Sequence, residues 1–152
     1  MSTTNATARP SDDLFLGMSH GTLECRDIPQ SRAFHGEFLG LQTLRHSEPS
    51  YITWLDERKF FIACVGTGDQ TGVQGVENRW ELSVGSDEEV LAARQAAEQQ
   101  QERWGIRTIT PLSEQDGYKW FALQDVNGNW WGISSRGADW FDKAFANAEV
   151  SA

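Results

Sequence analysis

The stretch of sequence that decides the fold is residues 121–133, which reads Phe121-Ala122-Leu123-Gln124-Asp125-Val126-Asn127-Gly128-Asn129-Trp130-Trp131-Gly132-Ile133. Two apolar runs flank a short polar segment that contains an Asn-Gly pair. This pattern is typical of two antiparallel strands joined by a tight turn. We therefore predict neighbouring strands at 118–124 and 130–134.

Upstream of this hairpin, the chain shows a strand and a helix. Residues 80–84 alternate apolar and polar side chains as a strand does, and Ser86-Asp87-Glu88-Glu89 has the pattern of a capping box. Such a box opens a helix, and Trp104-Gly105 gives that helix a C-terminal stop. With a further strand at 106–110, the second half has the order βαβββ.

The first half repeats this order. Its predicted elements are a strand at 14–25, a helix from Ile28 to Gly40, and strands at 42–46, 51–55 and 59–65. Two segments also align between the halves, 39–44 with 104–109 and 22–25 with 81–84. Two independent alignments of this kind indicate an internal duplication.

The composition limits what the protein can be. The chain has 152 residues, a formal net charge of −9 and seven tryptophans. Its pI near 4.7 argues against binding to nucleic acid or to an anionic membrane, because both need clustered Lys and Arg. The sequence has no apolar run long enough to span a bilayer and no signal-peptide pattern, so we expect a cytoplasmic protein.

The domain organisation follows from these patterns. We expect a disordered arm at 1–13, a single domain at 14–137 and a partly helical extension at 138–152. The domain divides into modules at about 14–66 and 78–137, separated by a Gly-rich connector. In the extension, Trp140, Phe141 and Phe145 predict a helix that packs on the sheet edge or on a second subunit.

Three segments, 19–27, 38–41 and 121–133, resemble the vicinal oxygen chelate superfamily, and the resemblance covers roughly 14–135. This superfamily includes glyoxalase I, extradiol dioxygenases, fosfomycin-modifying enzymes and bleomycin-resistance proteins. The resemblance implies an α+β fold in which two βαβββ modules form a half-open, cup-shaped mixed sheet. It also implies a homodimer and a small-molecule site inside the cup, but it does not specify a reaction.

Metal-dependent members of the superfamily hold a divalent ion with a His on the first strand of a module and a Glu on its last strand. The corresponding positions here are His20, Arg79, Ala63 and Gly132. Only His20 can coordinate a metal, whereas such a site needs about three protein ligands. We therefore expect no metal and no other cofactor. A site displaced to His20, Glu24 and Glu81 is the alternative.

The alternation of side chains along a strand predicts which residues face the cup. It places His20 and Glu24 on the cup face of the first module, and Arg79 and Glu81 on that of the second. In a catalytic site, His20 would act as acid or base, Arg79 would hold an anion or enolate, and either Glu would orient them. The alternative is that these charges form ion pairs across a polar sheet face, with His20 hydrogen-bonded to a neighbour.

The small residues Ala63 and Gly132 leave room for a flat molecule, which aromatic rings could stack against. The candidate rings are Tyr51 or Trp54, Trp120 or Phe121, and Trp130. The alternative is that these rings pack in the core or at an interface. His35 and His46 have no partner at ligand spacing, so we expect them on the surface.

Three functional hypotheses follow. The first is a metal-independent enzyme, of lyase, isomerase or dioxygenase type, that acts on a small oxygenated molecule of aromatic or polyketide-like character. The second is a non-catalytic protein that sequesters a drug, as bleomycin-resistance proteins do; an acidic, Trp-rich chain suits a flat cationic ligand. The third is a metal-dependent dioxygenase or lyase with displaced ligands.

Overall fold

The computed structural model describes residues 20–47, 50–54, 61–66 and 74–147. The predicted arm at 1–13, most of the Gly-rich connector and the last five residues lie outside these ranges. Within them, no helix is both long enough and apolar enough to cross a membrane.

The first module is a four-stranded mixed sheet, with helical turns between its first and second strands. Its strands are β1 (His20–Cys25), β2 (Gln42–Ser47), β3 (Ser50–Trp54) and β4 (Phe61–Gly66), in the spatial order β1-β4-β3-β2. Helix α1 (Ile28–Ala33) begins at the N-cap Asp27, whose side chain accepts a hydrogen bond from the backbone N–H of Gln30 at 2.9 Å. The helix continues as a π-helical turn at Phe34–Phe38, which the sequence pattern did not predict.

The second module repeats this arrangement. Its elements are β5 (Arg79–Ser83), α2 (Asp87–Gln99), α3 (Gln101–Trp104), β6 (Thr108–Ile109), β7 (Ser113–Gln115), β8 (Tyr118–Gln124) and β9 (Trp130–Ser134). The sheet order is β5-β9-β8-β6, with β7 also paired to β8. The Ser86 half of the capping box is confirmed, because Ser86 Oγ accepts from the N–H of Glu89. Glu89 Oε2 accepts from the N–H of Gly85, one residue before the N-cap. Helix α4 (Ala138–Asn147) follows β9, where a C-terminal helix was predicted.

The strand register confirms the duplication. In each module the first strand pairs in parallel with the last, and the pairs occupy equivalent positions. These pairs are His20–Phe61 with Arg79–Trp130, and Thr22–Ala63 with Glu81–Gly132. The fold is therefore α+β and consists of two βαβββ modules with open mixed sheets, as predicted.

Both modules contribute to one hydrophobic core on the helix side of the sheets. The first module supplies Leu23, Cys25, Phe34 and Leu41, and the second supplies Val90, Ala97, Trp104, Ile106, Phe121, Leu123, Trp131 and Ile133. On β1, Leu23 and Cys25 are buried whereas Thr22 and Glu24 are exposed, which confirms the predicted alternation. Burial of this apolar surface from both halves is the main reason why the modules pack together.

The prediction that His35 lies on the surface is wrong. His35 is fully buried, and its ring packs edge-on against Trp131 with 5.1 Å between ring centroids. The neighbouring Phe34 stacks on Phe38 at 5.3 Å. The second module covers this side of the helix, so His35 packs in the interface between the two modules.

The turn between β8 and β9 is organised by a buried carboxylate. Asp125 Oδ1 accepts hydrogen bonds from the backbone N–H groups of Asn127 at 2.9 Å and Asn129 at 3.0 Å. Asp125 Oδ2 accepts from the indole Nε1–H of Trp131 at 3.0 Å. Burial raises the pKa of Asp125 from its ordinary value of 3.8, while these hydrogen bonds and the nearby His35 oppose the increase.

The two asparagines of this turn bind the first module. Asn127 Oδ1 accepts from the backbone N–H of Arg26 at 2.7 Å, and Asn127 Nδ2 donates to Ser31 Oγ at 2.9 Å. Asn129 Nδ2 donates to the carbonyl of Glu24 at 3.0 Å. The turn is therefore the polar link between the end of β1 and the hairpin of the second module.

Replacement of Asp125 should reveal this link in unfolding experiments. In Asp125→Ala three buried N–H donors lose their acceptor, so we expect the free energy of unfolding in urea to fall by about 3 kcal/mol or more. Asp125→Asn keeps part of the hydrogen bonding and should be less destabilised. Asp116→Asn, at an exposed turn position, is the control and should unfold like the wild type.

The same variants test the raised pKa of Asp125. The folded protein binds the Asp125 proton more tightly than the unfolded chain, so this group stabilises the fold most below pH 4. As the pH rises through the raised pKa, wild type should lose stability relative to Asp125→Asn. A gain in relative stability over that range would contradict the assigned direction of the shift.

Candidate functional site

The face of the second sheet that points away from the core carries a cluster of charged and aromatic side chains. We call this cluster the polar face. It consists of Arg79 and Glu81 on β5, Trp130 and Gly132 on β9, Tyr118 and Trp120 on β8, and Arg136, which follows β9. Strand alternation places these residues on one side, while their sequence neighbours enter the core.

Arg79 crosses the sheet to reach an aromatic ring. It begins on β5, passes over β9 and ends with its Cζ atom 4.4 Å from the centre of the Trp120 ring on β8. This distance is typical of a cation–π interaction. Arg79 Nη1 also donates to the carbonyl of Val76 at 3.3 Å, and Nε lies 3.6 Å from Glu81 Oε1. The guanidinium is therefore held in place on three sides.

Arg136 forms a second cationic position beside the first. Its Nη2 donates to Glu81 Oε2 at 2.6 Å, and its Nη1 donates to the hydroxyl of Tyr118 at 3.0 Å. Its Cζ atom lies 4.8 Å from the centre of the Tyr118 ring. Glu81 thus has one oxygen toward each arginine.

The charges of this trio do not cancel. The side chains of Arg79, Glu81 and Arg136 are only 17%, 20% and 18% exposed, and together they carry two positive charges and one negative charge. Glu77 lies 3.7 Å from Arg79, but its side chain is 89% exposed, so solvent screens it strongly. Among the described residues, the partly buried part of the polar face therefore has two cationic side chains and one carboxylate.

A loop covers one end of the polar face. The indole Nε1–H of Trp130 donates to the carbonyl of Gln74 at 2.8 Å, and Arg79 donates to the carbonyl of Val76 in the same loop. These two bonds fix the segment that enters β5 against the sheet. The aromatic and cationic side chains are consequently arranged before any ligand arrives.

The structure brings together some of the predicted site residues. Arg79, Glu81, Trp120, Trp130 and Gly132 share the polar face. Phe121, the predicted alternative to Trp120, does not lie on the polar face. It is fully buried in the core, because it points to the opposite side of β8.

The remaining predicted residues belong to the first sheet. Glu24 is exposed on β1, and its carbonyl accepts from the turn of the second module. The backbone places His20 at the start of β1, Ala63 on β4, and Tyr51 and Trp54 on β3. Their side chains lie outside the described part of the structure.

Tyr118 and Arg136 are not among the predicted site residues. Both could have been found by extending the alternation already used for the strands. Tyr118 is two residues before Trp120, and Arg136 is four residues after Gly132, so each lies on the same face as its predicted neighbour. The predicted strand ends at Ser134, so the alternation was not extended to Arg136.

The polar face does not fit the metal site that the resemblance implies. Arg79 and Gly132 occupy the two ligand positions of this module, and neither offers a ligand atom. Among the residues that the structure describes, no three His, Cys, Asp or Glu side chains cluster as a metal site would require. The oxygens of Glu81 already face two guanidinium groups.

A separate cavity of about 350 Å³ lies on the helix side of the second sheet. Apolar side chains line most of it, including Phe38, Leu82 and Ile133, and Glu37 at its rim pairs with Arg103. It lacks the convergent charged groups that orient a polar ligand. The polar face is therefore the candidate functional site.

The sequence matches no known family model and no curated protein. Solved structures nevertheless share its fold. The fosfomycin resistance protein FosX from Listeria monocytogenes is 14% identical, with a TM-score of 0.66, over 85% of this chain and 98% of that chain. The oxidase ChaP-H2 is 15% identical, with a TM-score of 0.61, over 80% of this chain and 94% of that chain.

UcmS2 is a third example, 14% identical with a TM-score of 0.58, over 80% of this chain and 99% of that chain. All three are vicinal oxygen chelate proteins. At these identities the likeness concerns the fold and leaves the chemistry open. Together with the paired βαβββ modules, it shows that this chain has the vicinal oxygen chelate fold.

Proposed function

We propose that the polar face binds a small oxygenated aromatic molecule through an anionic oxygen, without a metal ion or other cofactor. The observation that carries this proposal is the Arg79 guanidinium, which is held 4.4 Å from the centre of the Trp120 ring. A cation that is largely shielded from water attracts an anion more strongly than a solvated one. The planar guanidinium can also bind a carboxylate through two parallel N–H groups.

The sign of the local charge favours an anionic ligand over a cationic one. The chain has a net charge of −9, yet two of its arginines lie together with one carboxylate on this face. An acidic protein would bind a flat cationic drug best where carboxylates are in excess. Among the described residues of the polar face, the partly buried arginines outnumber the carboxylates.

The proposed catalytic step is proton transfer. His20 occupies the position on β1 that Arg79 occupies on β5. In our proposal the His20 imidazole removes a proton from the carbon beside a carbonyl group, and the electron pair moves to the carbonyl oxygen. Arg79 stabilises the resulting enolate oxygen, and return of the proton to another atom gives an isomer. Glu81 orients Arg79, and Glu24 lies on the same strand as His20.

A second candidate function is drug sequestration without catalysis. The aromatic rings of Trp120 and Trp130 on the polar face support it, as does the likeness to FosX, which is described as a resistance protein. The likeness to an oxidase supports the enzymatic alternative equally well. The two functions differ in whether a bound molecule is chemically changed.

The third candidate is a metal-dependent dioxygenase or lyase with ligands displaced to His20, Glu24 and Glu81. It requires Glu81 to leave both arginines, because its two oxygens lie 3.6 Å from Arg79 and 2.6 Å from Arg136. The remaining partially buried cations would then repel the metal ion. We therefore favour the metal-independent proposal.

We propose that the partner is a small molecule and that the chain forms a homodimer, as the resemblance implies. The net charge of −9 disfavours nucleic acid. In the described part of the structure, the first strand of each sheet lies at an edge, β1 in one and β5 in the other.

The ligand charge can be tested with matched probes. We expect benzoate and 2-naphthoate to quench tryptophan fluorescence on binding, whereas benzylamine and 2-naphthylmethylamine should not bind. Arg79→Gln should weaken carboxylate binding about tenfold or more, the effect of losing a charged hydrogen bond. Arg103→Gln is the control, because Arg103 also stacks on a tryptophan, Trp104, at 4.6 Å but lies outside the polar face. Binding of the amines alone would overturn the proposal.

Catalysis and sequestration can be separated with phenylpyruvate, an aromatic 2-oxo acid whose enolisation exchanges hydrogen for deuterium in D₂O. We expect the wild type to accelerate this exchange, measured by proton NMR. His20→Ala should slow it by about 100-fold or more, as expected on loss of a general base, while benzoate affinity is retained. If benzoate binds but the wild type gives no acceleration, the sequestering function replaces the enzymatic one.

Metal independence is tested by elemental analysis of the purified protein and by thermal shift after addition of Zn²⁺, Mn²⁺ or Fe²⁺. We expect less than stoichiometric metal and no stabilisation by these ions, since only binding to the folded state raises the melting temperature. About one equivalent of metal per chain, enough for one three-ligand site, would contradict the proposal and favour the displaced site.

A further inference from the structure

We infer that Gly132 is a positioning residue for Arg79. Because glycine has no side chain, the Arg79 guanidinium can occupy the space in which the resemblance places a metal-binding carboxylate. This inference deepens the proposed function. Of its two tests, only the ligand-binding test rests on that function. The structural arm concerns the geometry of the polar face alone.

The strand register defines the path of Arg79. Three rows of residues cross the second sheet from β5 through β9 to β8: Arg79–Trp130–Gln124, Glu81–Gly132–Ala122 and Ser83–Ser134–Trp120. Arg79 begins in the first row, and the ring on which it stacks belongs to the third. Its side chain must therefore cross the middle row, where β9 presents Gly132.

The space above Gly132 is already filled by this crossing. A β carbon at position 132 would lie 3.0 Å from Arg79 Nε, 3.1 Å from Arg79 Cδ and 3.2 Å from Glu81 Oε1. Contacts this short are tighter than most real β-carbon contacts, so the neighbouring atoms would have to shift by a few tenths of an ångström. Neither neighbour moves freely, because Arg79 is bonded to Val76 and stacked on Trp120, and Glu81 is bonded to Arg136.

The requirement at Gly132 is for space and not for an unusual backbone. The described glycines with positive φ are Gly40, Gly105, Gly117 and Gly128, and Gly132 is not among them. Alanine would therefore suit the backbone of β9, as Ala63 does at the equivalent position of β4. What alanine would disturb is the position of the Arg79 side chain.

A carboxylate ligand at position 132 and the Arg79 side chain would occupy the same space. The resemblance places a carboxylate ligand at the position of Gly132, and any such side chain would occupy the volume that Arg79 Nε and Cδ now fill. A metal-binding side chain at 132 would therefore compete with the Arg79 side chain for the same space. Gly132 therefore leaves the space that the Arg79 guanidinium occupies in this half of the site.

The structural arm of the test uses NMR of the full chain. The Nε–H signal of Arg79, identified by its loss in Arg79→Ala, should be shifted by the ring current of Trp120. In Gly132→Ala that signal should move toward the position of a solvent-exposed arginine. Gly36→Ala is the matched control, because a β carbon at Gly36 would meet its nearest atom at 3.9 Å, which is an ordinary contact. An unchanged Arg79 signal in Gly132→Ala would overturn the inference.

The binding arm is a double-mutant cycle with benzoate as the probe. Gly132→Ala alone should weaken binding about tenfold, but it should have little further effect in the Arg79→Ala background, since Gly132 acts through Arg79. Equal losses in both backgrounds would indicate a general structural effect and contradict the inference. If the wild type binds no benzoate while the NMR result is as expected, the proposed function fails and the positioning role stands.

The cycle also works when Gly132→Ala is unstable. Removing Cδ and Nε in Arg79→Ala relieves the two shortest contacts, so the double variant should regain melting temperature relative to Gly132→Ala alone. Failure to recover would show that the alanine disturbs something other than Arg79, and it would overturn the inference.

Discussion

The carboxylate of Asp125 is the constraint on which the rest of the structure depends. It accepts three N–H groups in a buried turn and thereby fixes the orientation of Asn127, Asn129 and Trp131. The asparagines then bind the end of β1 and the start of α1, and Trp131 packs on His35 of the first module. One buried anion thus sets both the local turn and the contact between the duplicated halves. Its burial is costly, and the three N–H donors of Asn127, Asn129 and Trp131 offset part of that cost.

Much of this fold could be predicted from sequence because it rests on local patterns. The capping box at Ser86 and the alternation along β1 and β5 depend on neighbours within a few residues, and the structure has them as predicted. The duplication was visible because both halves keep the same apolar positions. The short strand β7 was missed even though Asp116-Gly117 follows it, both with positive φ as a tight hairpin turn requires.

What could not be predicted depends on contacts between distant parts of the chain. His35 carries a polar ring, and nothing in its own helix shows that Trp131 will cover it. The π-helical turn is equally hidden, because its bond from Leu39 N to Phe34 O replaces ordinary helical bonding without a distinctive sequence. In the candidate site, strand alternation was enough to predict that Arg79 and Glu81 lie on the same face of the sheet. The bridge from Glu81 to Arg136 was not, since it joins residues 55 positions apart.

The two faces of the second sheet explain how this fold can change its chemistry. On β9, Trp131 and Ile133 enter the shared core, whereas Trp130 and Gly132 alternate with them on the polar face. A substitution at Trp131 changes the packing of both modules, but a substitution at Gly132 changes only what lies above the sheet. Stability and site chemistry are therefore carried by alternate residues of the same strand. Under the proposed role of Gly132, an arginine that crosses the sheet and a side chain at position 132 compete for the same volume, so these two positions are expected to change together while Trp131 and Ile133 keep the core.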